Sequence, residues 1–135
     1  MPEDRDLSGV VQSGKGLGAG LMADCTAMEK LEELGGFQVV PGTLNVRLPQ
    51  PLERGGSWRY LAAEEIAPDW LVRTGQSGYF LAPVAVAGRY RGLAFQAVEP
   101  GGYPPDQIEL FCEAHLRTEL GLGDGDRVAV RLTDA

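Results

Sequence analysis

Thr43 and Asn45 are the residues of this chain whose type and spacing most directly suggest chemistry. They follow a Pro41-Gly42 pair, which suits the centre of a type II turn because proline pre-sets φ and glycine takes φ > 0. Beyond the turn, Leu44, Val46 and Leu48 alternate with Thr43, Asn45 and Arg47. Strand side chains alternate sides, so the first trio can face a core while the second faces a cleft. Thr43 and Asn45 would then stand roughly 6 to 7 Å apart at their roots, with oxygens able to converge on one hard cation. Both are neutral, so Mg2+ should bind them well only when a nucleotide supplies the negative charge. A polar strand face after an ordinary turn is the plainer alternative.

A second candidate is the glycine-dense segment Gly14-Lys15-Gly16-Leu17-Gly18-Ala19-Gly20. It lacks the GK[ST] ending of a P-loop, which excludes a Walker-type NTPase. Gly14, Gly16 and Ala19 satisfy a loose dinucleotide fingerprint, but the chain offers no series of βαβ units to build the sheet that fingerprint needs. What remains is either a glycine hairpin or a loop whose N–H groups can approach an anion closely, with Lys15 adding positive charge. Glu109 lies among Ile108, Leu110 and Phe111 and should share a strand face with Gln107 and Phe111, half-buried. Beside a cleft such a carboxylate could orient or deprotonate a substrate hydroxyl; otherwise it is a solvated outward side chain. His115 is the sole histidine and reads as a surface residue. Arg117 could contact phosphate or pair with Glu113 at i, i+4. Asp124 and Asp126 lack the rest of a calcium loop and read as turn residues.

The elements that must position these residues follow from periodicity. Leu7 to Gln12 is expected to form a first strand. A helix follows, with Thr26 and Glu29 at capping-box spacing, Met28, Leu31 and Leu34 on one face, and Gly35 as its stop. Further strands are expected over 43–48, 79–86, 90–98 and 107–112, the 79–86 and 90–98 pair joined near Gly88. Glu113 to Leu120 reads as a second short helix ending at Gly121, and Asp124-Gly125 turns into a last strand in which Val128, Val130 and Leu132 alternate with charge. Pro49 to Gly78 is mixed in character, with Trp58 and Trp70 expected to anchor it to the core. The fold class is therefore mainly β with short helices, about six strands in a closed or nearly closed barrel, which removes exposed edges.

Composition bounds the rest. At 135 residues the chain suits a single domain spanning 1–135. Apolar content of 44% and charged content of 23% are ordinary globular values, with no run of membrane-spanning length and no signal-peptide pattern, so a soluble, cytoplasmic protein is expected; a monomer is the default reading, although nothing in the sequence fixes the oligomeric state. A net charge of −7 disfavours nucleic acid, whose binding draws on Lys and Arg neutralising phosphates. Cys25 and Cys112 stand far apart without CxxC spacing, which suggests two reduced, mostly buried thiols rather than a zinc site or disulfide.

Taken in order, Ser13-Gly14-x-Gly16-x-Gly18, Pro41-Gly42-Thr43-Leu44-Asn45-Val46, Tyr103-Pro104-x-Asp106-x-Ile108-Glu109 and Leu116-Arg117-x-x-Leu120-Gly121-Leu122-x-Asp124-Gly125-Asp126 resemble the archaeal-type CTP-dependent riboflavin kinases. The likeness spans nearly the whole chain. It implies a small six-stranded cradle-loop β-barrel that moves the terminal phosphoryl of CTP to the 5′-hydroxyl of riboflavin, giving FMN and CDP. By position it implies that Gly14, Lys15, Gly16, Leu17, Gly18 and Ala19 cradle the nucleotide and that Thr43 and Asn45 hold Mg2+. It likewise implies that Glu109 meets the ribityl chain near the reacting hydroxyl, and that Ala114, His115, Leu116 and Arg117 help bind the nucleotide. Gly101 stands where the family has a flavin-contacting threonine, Leu17 where it usually has an acidic residue, and Cys112-Glu113 where it has Ala-Pro. These departures motivate a rival reading, a flavin- or nucleotide-binding barrel that lost its chemistry. A DNA-binding barrel conflicts with the acidic charge.

Overall fold

The structure is a computed structural model that describes residues 6–12, 25–40, 43–52, 54–56, 58–62, 78–97 and 106–133. Within them the chain order is β1 (Gly9–Gln12), α1 (Cys25–Gly35), β2 (Leu44–Arg47), β3 (Arg59–Ala62), β4 (Gly78–Val86), β5 (Tyr90–Ala97), β6 (Gln107–Cys112), α2 (Leu116–Glu119), β7 (Arg127–Val128) and β8 (Val130–Leu132). The strands form one antiparallel sheet of eight, hydrogen-bonded in the order β3-β4-β5-β6-β2-β1-β7, with β8 paired to β4. One edge of β4 is shared, since Gly78 to Leu81 pair with β3 and Val84 to Val86 pair with β8.

Eight strands replace the six expected, for two local reasons. Arg59–Ala62 takes up the free half of the β4 edge, a partner choice that no periodicity in the mixed stretch from Pro49 to Gly78 announces. The last strand divides at Ala129 because its two halves serve different neighbours, β7 pairing with β1 and β8 with β4. The alternation itself survives the break, and Val128, Val130 and Leu132 all enter one core cluster. That cluster also holds Leu7 and Val11 of the first segment, Leu44 and Val46 from β2 with Leu48 just beyond it, Ala82, Val84 and Val86 from β4, and Ile108, Leu110 and Cys112 from β6. Trp58 packs against it, half-buried, while Trp70 lies outside the described residues. Cys112 is a free, buried thiol, as expected.

The opposite face of β4, β5 and β6 is buried too. Tyr79 and Phe95 stack at 4.7 Å between ring centroids, and Phe111 meets Phe95 edge-on at 5.2 Å. α1 packs against β5 and buries Leu31 completely. The helix begins at Cys25, one residue ahead of the expected cap Thr26. Its left-handed stop is Gly36, φ 73°, rather than Gly35. Gly35 is needed for a different reason: a Cβ there would fall 2.8 Å from Phe37 Cε1. The exit is then fixed by Glu32, whose Oε2 accepts from Val39 N at 2.9 Å.

β4 and β5 join through Ala87, Gly88 and Arg89, the first two at positive φ, with Arg89 N donating to Val86 O at 3.0 Å. The second helix is shorter than the 113–120 expected. Glu113 N donates to Arg91 O at 3.0 Å, and the Glu113 carboxylate accepts from Arg91 N at 2.7 Å. These bonds tie Glu113 to β5 beyond the end of the ladder, and the helix starts only at Leu116.

Candidate functional site

β2 lies between β1 and β6, and its register decides what Asn45 meets: Gln12 stands opposite on one side and Glu109 on the other. Leu44 and Val46 are buried in the core while Thr43 and Asn45 are half-buried, so the alternation expected from the sequence holds and both oxygen-bearing side chains take the same side. Thr43 Oγ1 donates to Glu109 Oε2. Gln107 Nε2 donates to Asn45 Oδ1 at 3.1 Å, and Gln12 Nε2 donates to Gln107 Oε1 at 2.9 Å. Three neighbouring strands thus bring a hydroxyl, three amides and a carboxylate onto one surface.

Glu109 is not half-buried, as expected, but 0% exposed. All six residues of β6 are buried, because the face opposite the core is itself covered, which alternation along one strand cannot reveal. A carboxylate out of water is costly without partners, and Thr43 supplies one. This pairing also sets the character of Thr43. A hydroxyl has one proton and two lone pairs, so one that donates to Glu109 presents its lone pairs elsewhere. Asn45 Oδ1 likewise retains a second lone pair after accepting from Gln107.

Thr43 Oγ1 and Asn45 Oδ1, with the Glu109 carboxylate behind Thr43, form a set of hard oxygen donors that fits a divalent cation of the Mg2+ type. No cluster of three or more His, Cys, Asp or Glu occurs among the described residues. The hydroxyl and the amide are both uncharged, so these two donors suit a cation that takes its remaining oxygens from a phosphate-bearing ligand.

The remaining candidates divide. β1 ends at Gln12, Thr43 precedes β2, and the segment after Cys112 leaves β6 at the same end of the sheet. Ala114, His115, Leu116 and Arg117 lie just beyond it. Leu116 is 3% exposed and belongs to the core. His115 is exposed, its Nδ1 2.8 Å from Thr118 Oγ1. Arg117 pairs with Asp124 at 2.8 Å and not with Glu113, since Glu113 is held by Arg91 at 3.0 Å. Gly14, Lys15, Gly16, Leu17, Gly18, Ala19, Gly101 and the Pro41-Gly42 turn lie outside the described residues.

Gln107 and Gln12 belong to this surface although their sequence context does not single them out. The i, i+2 spacing of Gln107 to Glu109 was a usable signal; the approach of Gln12 depends on strand pairing and had none. A separate apolar cavity of about 430 Å3 lies beside the end of α1, lined by Leu34, Phe37, Leu81, Pro83 and Leu93 with Arg59 and Arg91, and holds none of the candidate residues.

A family model labelled for CTP-dependent riboflavin kinases, described as a domain of unknown function, DUF120, matches residues 11–132. The chain is similar to a protein named riboflavin kinase from Methanococcoides burtonii, 32% identical over 137 residues that cover 98% of this chain and 59% of that protein. It is 35% identical over 99 residues to the riboflavin kinase of Methanocella arvoryzae, covering 72% of this chain and 42% of the relative. With the riboflavin kinase of Aeropyrum pernix it shares 30% identity over 120 residues, 88% of this chain and 90% of the relative. The chain thus spans about half the length of the first two relatives and nearly all of the third.

Proposed function

We propose, since the chain belongs to the CTP-dependent riboflavin kinase family, that it is a phosphotransferase moving the terminal phosphoryl of CTP to the 5′-hydroxyl of riboflavin, giving FMN and CDP. The observation that carries this reading is the Thr43 hydroxyl donated to a fully buried Glu109, which stands directly across the ladder from Asn45. Phosphoryl transfer passes through a loose transition state, so positioning and charge neutralisation dominate over covalent chemistry.

In this reading Thr43 and Asn45 hold Mg2+. When bound, the ion would neutralise charge on the phosphate oxygens. The Glu109 carboxylate takes a hydrogen bond from the riboflavin hydroxyl, fixing the line along which that oxygen forms its bond to the γ-phosphorus, and receives the hydroxyl proton as the bond to CDP breaks. Gly14, Lys15, Gly16, Leu17, Gly18 and Ala19 cradle the triphosphate, starting directly after Gln12. Ala114, His115 and the main chain of Leu116 contribute to the nucleotide site. Arg117 joins them because its pair with Asp124, 38% and 54% exposed at the two side chains, is weak enough for a phosphate to replace. Gly101 lies against the flavin.

We read the sheet as a closed six-stranded cradle-loop barrel. Counting β7 and β8 as one strand interrupted at Ala129, and β3 as an addition to the β4 edge, the pairing path returns from β1 to β4. The whole is taken as one cytoplasmic, monomeric domain; no helix among the described residues is long and apolar enough to cross a membrane.

The test is direct. Purified protein with CTP, Mg2+ and riboflavin is expected to form FMN, resolved by chromatography, and Asn45→Ala or Glu109→Ala should lower turnover roughly a hundredfold. Folded protein that binds riboflavin and CTP in separate titrations yet forms no FMN would assign the non-catalytic reading instead.

A further inference from the structure

We propose that Gln107 is a positioning residue for the cation site: its side-chain amide keeps Asn45 Oδ1 turned toward the ion, and Gln12 keeps Gln107 in the orientation that does so. This rests on Thr43 and Asn45 being cation ligands, as proposed above. Gln107 is 5% exposed, and an amide so buried needs partners for both of its ends. It has them. Nε2 donates to Asn45 Oδ1 at 3.1 Å, Oε1 accepts from Gln12 Nε2 at 2.9 Å, and its main-chain carbonyl accepts from Gln96 Nε2 at 3.1 Å.

The directions of these bonds matter more than their number. An asparagine amide has an oxygen on one side and an NH2 group on the other, and only the oxygen can ligate a cation. If Asn45 turned over, its Nδ2 would meet Gln107 Nε2, donor against donor. Asn45 could turn favourably only if Gln107 turned with it, offering Oε1 instead. That second turn would set Gln107 Nε2 against Gln12 Nε2, again donor against donor. Asn45 can therefore present its nitrogen only if Gln107 and Gln12 both turn over with it, and in the observed arrangement the second lone pair of Asn45 Oδ1 is left for the ion. Hydrogen-bonding partners behind metal ligands act in this way, and their loss typically weakens metal binding by tenfold or more.

Gln107→Met removes both hydrogen bonds at nearly unchanged length. In the full chain assayed with CTP and riboflavin, the Mg2+ concentration giving half-maximal rate is expected to rise on the order of tenfold. The KM for riboflavin and the thermal unfolding midpoint should stay unchanged, and saturating Mg2+ should restore kcat. Mn2+ binding to the protein with CTP but no riboflavin, followed by water proton relaxation, should weaken by the same factor. Gln12→Met, which reaches Asn45 only through Gln107, should move both readouts in the same direction by less. An unchanged Mg2+ requirement and Mn2+ affinity in folded Gln107→Met would overturn the proposal while leaving the kinase reading intact. If Gln107→Met fails to fold, the same two measurements on Gln12→Met decide it, and wild-type values there overturn it. Wild-type protein that neither forms FMN nor binds Mn2+ with CTP would instead sink the kinase reading, and this inference with it.

Discussion

The two faces of β6 are equally dry and do unrelated things. Ile108, Leu110 and Cys112 enter the core cluster, among side chains that offer nothing but hydrocarbon and a thiol. Gln107, Glu109 and Phe111 are as deeply buried, yet they run from an amide through a carboxylate to an aromatic ring. Phe95, paired in register with Glu109, marks where the polar part of that face gives way to the aromatic part. Exclusion of water stabilises the fold on one side. On the other it sharpens the electrostatics around Glu109, for which we propose the orienting of a substrate hydroxyl. Burial by itself does not identify a core.

The comparison can be broken from either side. Leu110→Ala should have the largest effect, a destabilisation of about 2 to 5 kcal/mol from lost transfer energy plus cavity. It would be read from urea unfolding, with kcat of the remaining folded fraction unchanged; a loss of kcat without loss of stability would mean the two faces are not independent. Next, Glu109→Gln should cost about a hundredfold in FMN formation, about 2.7 kcal/mol in barrier. It should leave the unfolding midpoint near that of the wild type, since the neutral amide removes a buried charge and keeps the shape. Collapse of the midpoint would reclassify Glu109 as structural.

The smallest effect concerns the end of β6, on neither face. Hydrogen bonds from Arg91, first from its main-chain N–H and then from its side chain, hold the Glu113 carboxyl below its usual range. A carboxyl with a depressed folded value contributes stability that is fully present above its unfolded value, about 4.3 for glutamate. That contribution is lost as pH falls through the lower folded value. Stability should therefore fall on acidification below about pH 4.3, and Glu113→Gln, which removes the titrating group, should flatten that part of the curve. An unchanged acid limb in the variant would remove Glu113 from the account.

Residue pattern carried the site further than it carried the sheet. The alternation of Leu44, Val46 and Leu48 with Thr43 and Asn45 was legible because one strand face decides it, and β6 was legible in full. The complete burial of Glu109 was not, because alternation along one strand does not tell whether the second face is covered as well. Arg59–Ala62 escaped notice since its partner is the unclaimed half of the β4 edge. Arg117 was expected to choose between phosphate and Glu113 at helical spacing, but Arg91 already occupies Glu113 across the sheet. In the last two cases the deciding contact joins residues that no local period relates.

The break at Ala129 has a consequence for how this molecule is made. Ser8 and Val130 are 122 residues apart along the chain, yet Val130 N donates to Ser8 Oγ at 3.1 Å, and β7 and β8 serve β1 and β4 respectively. The outer edge of β1, on the side away from β2, and the second half of the β4 edge must therefore wait for partners until residues 127–132 have been synthesised. Contacts of such long range are slow to form, so refolding should be governed by the docking of residues 127–132. A ribosome paused before that segment would hold a chain with two ladders left unzipped.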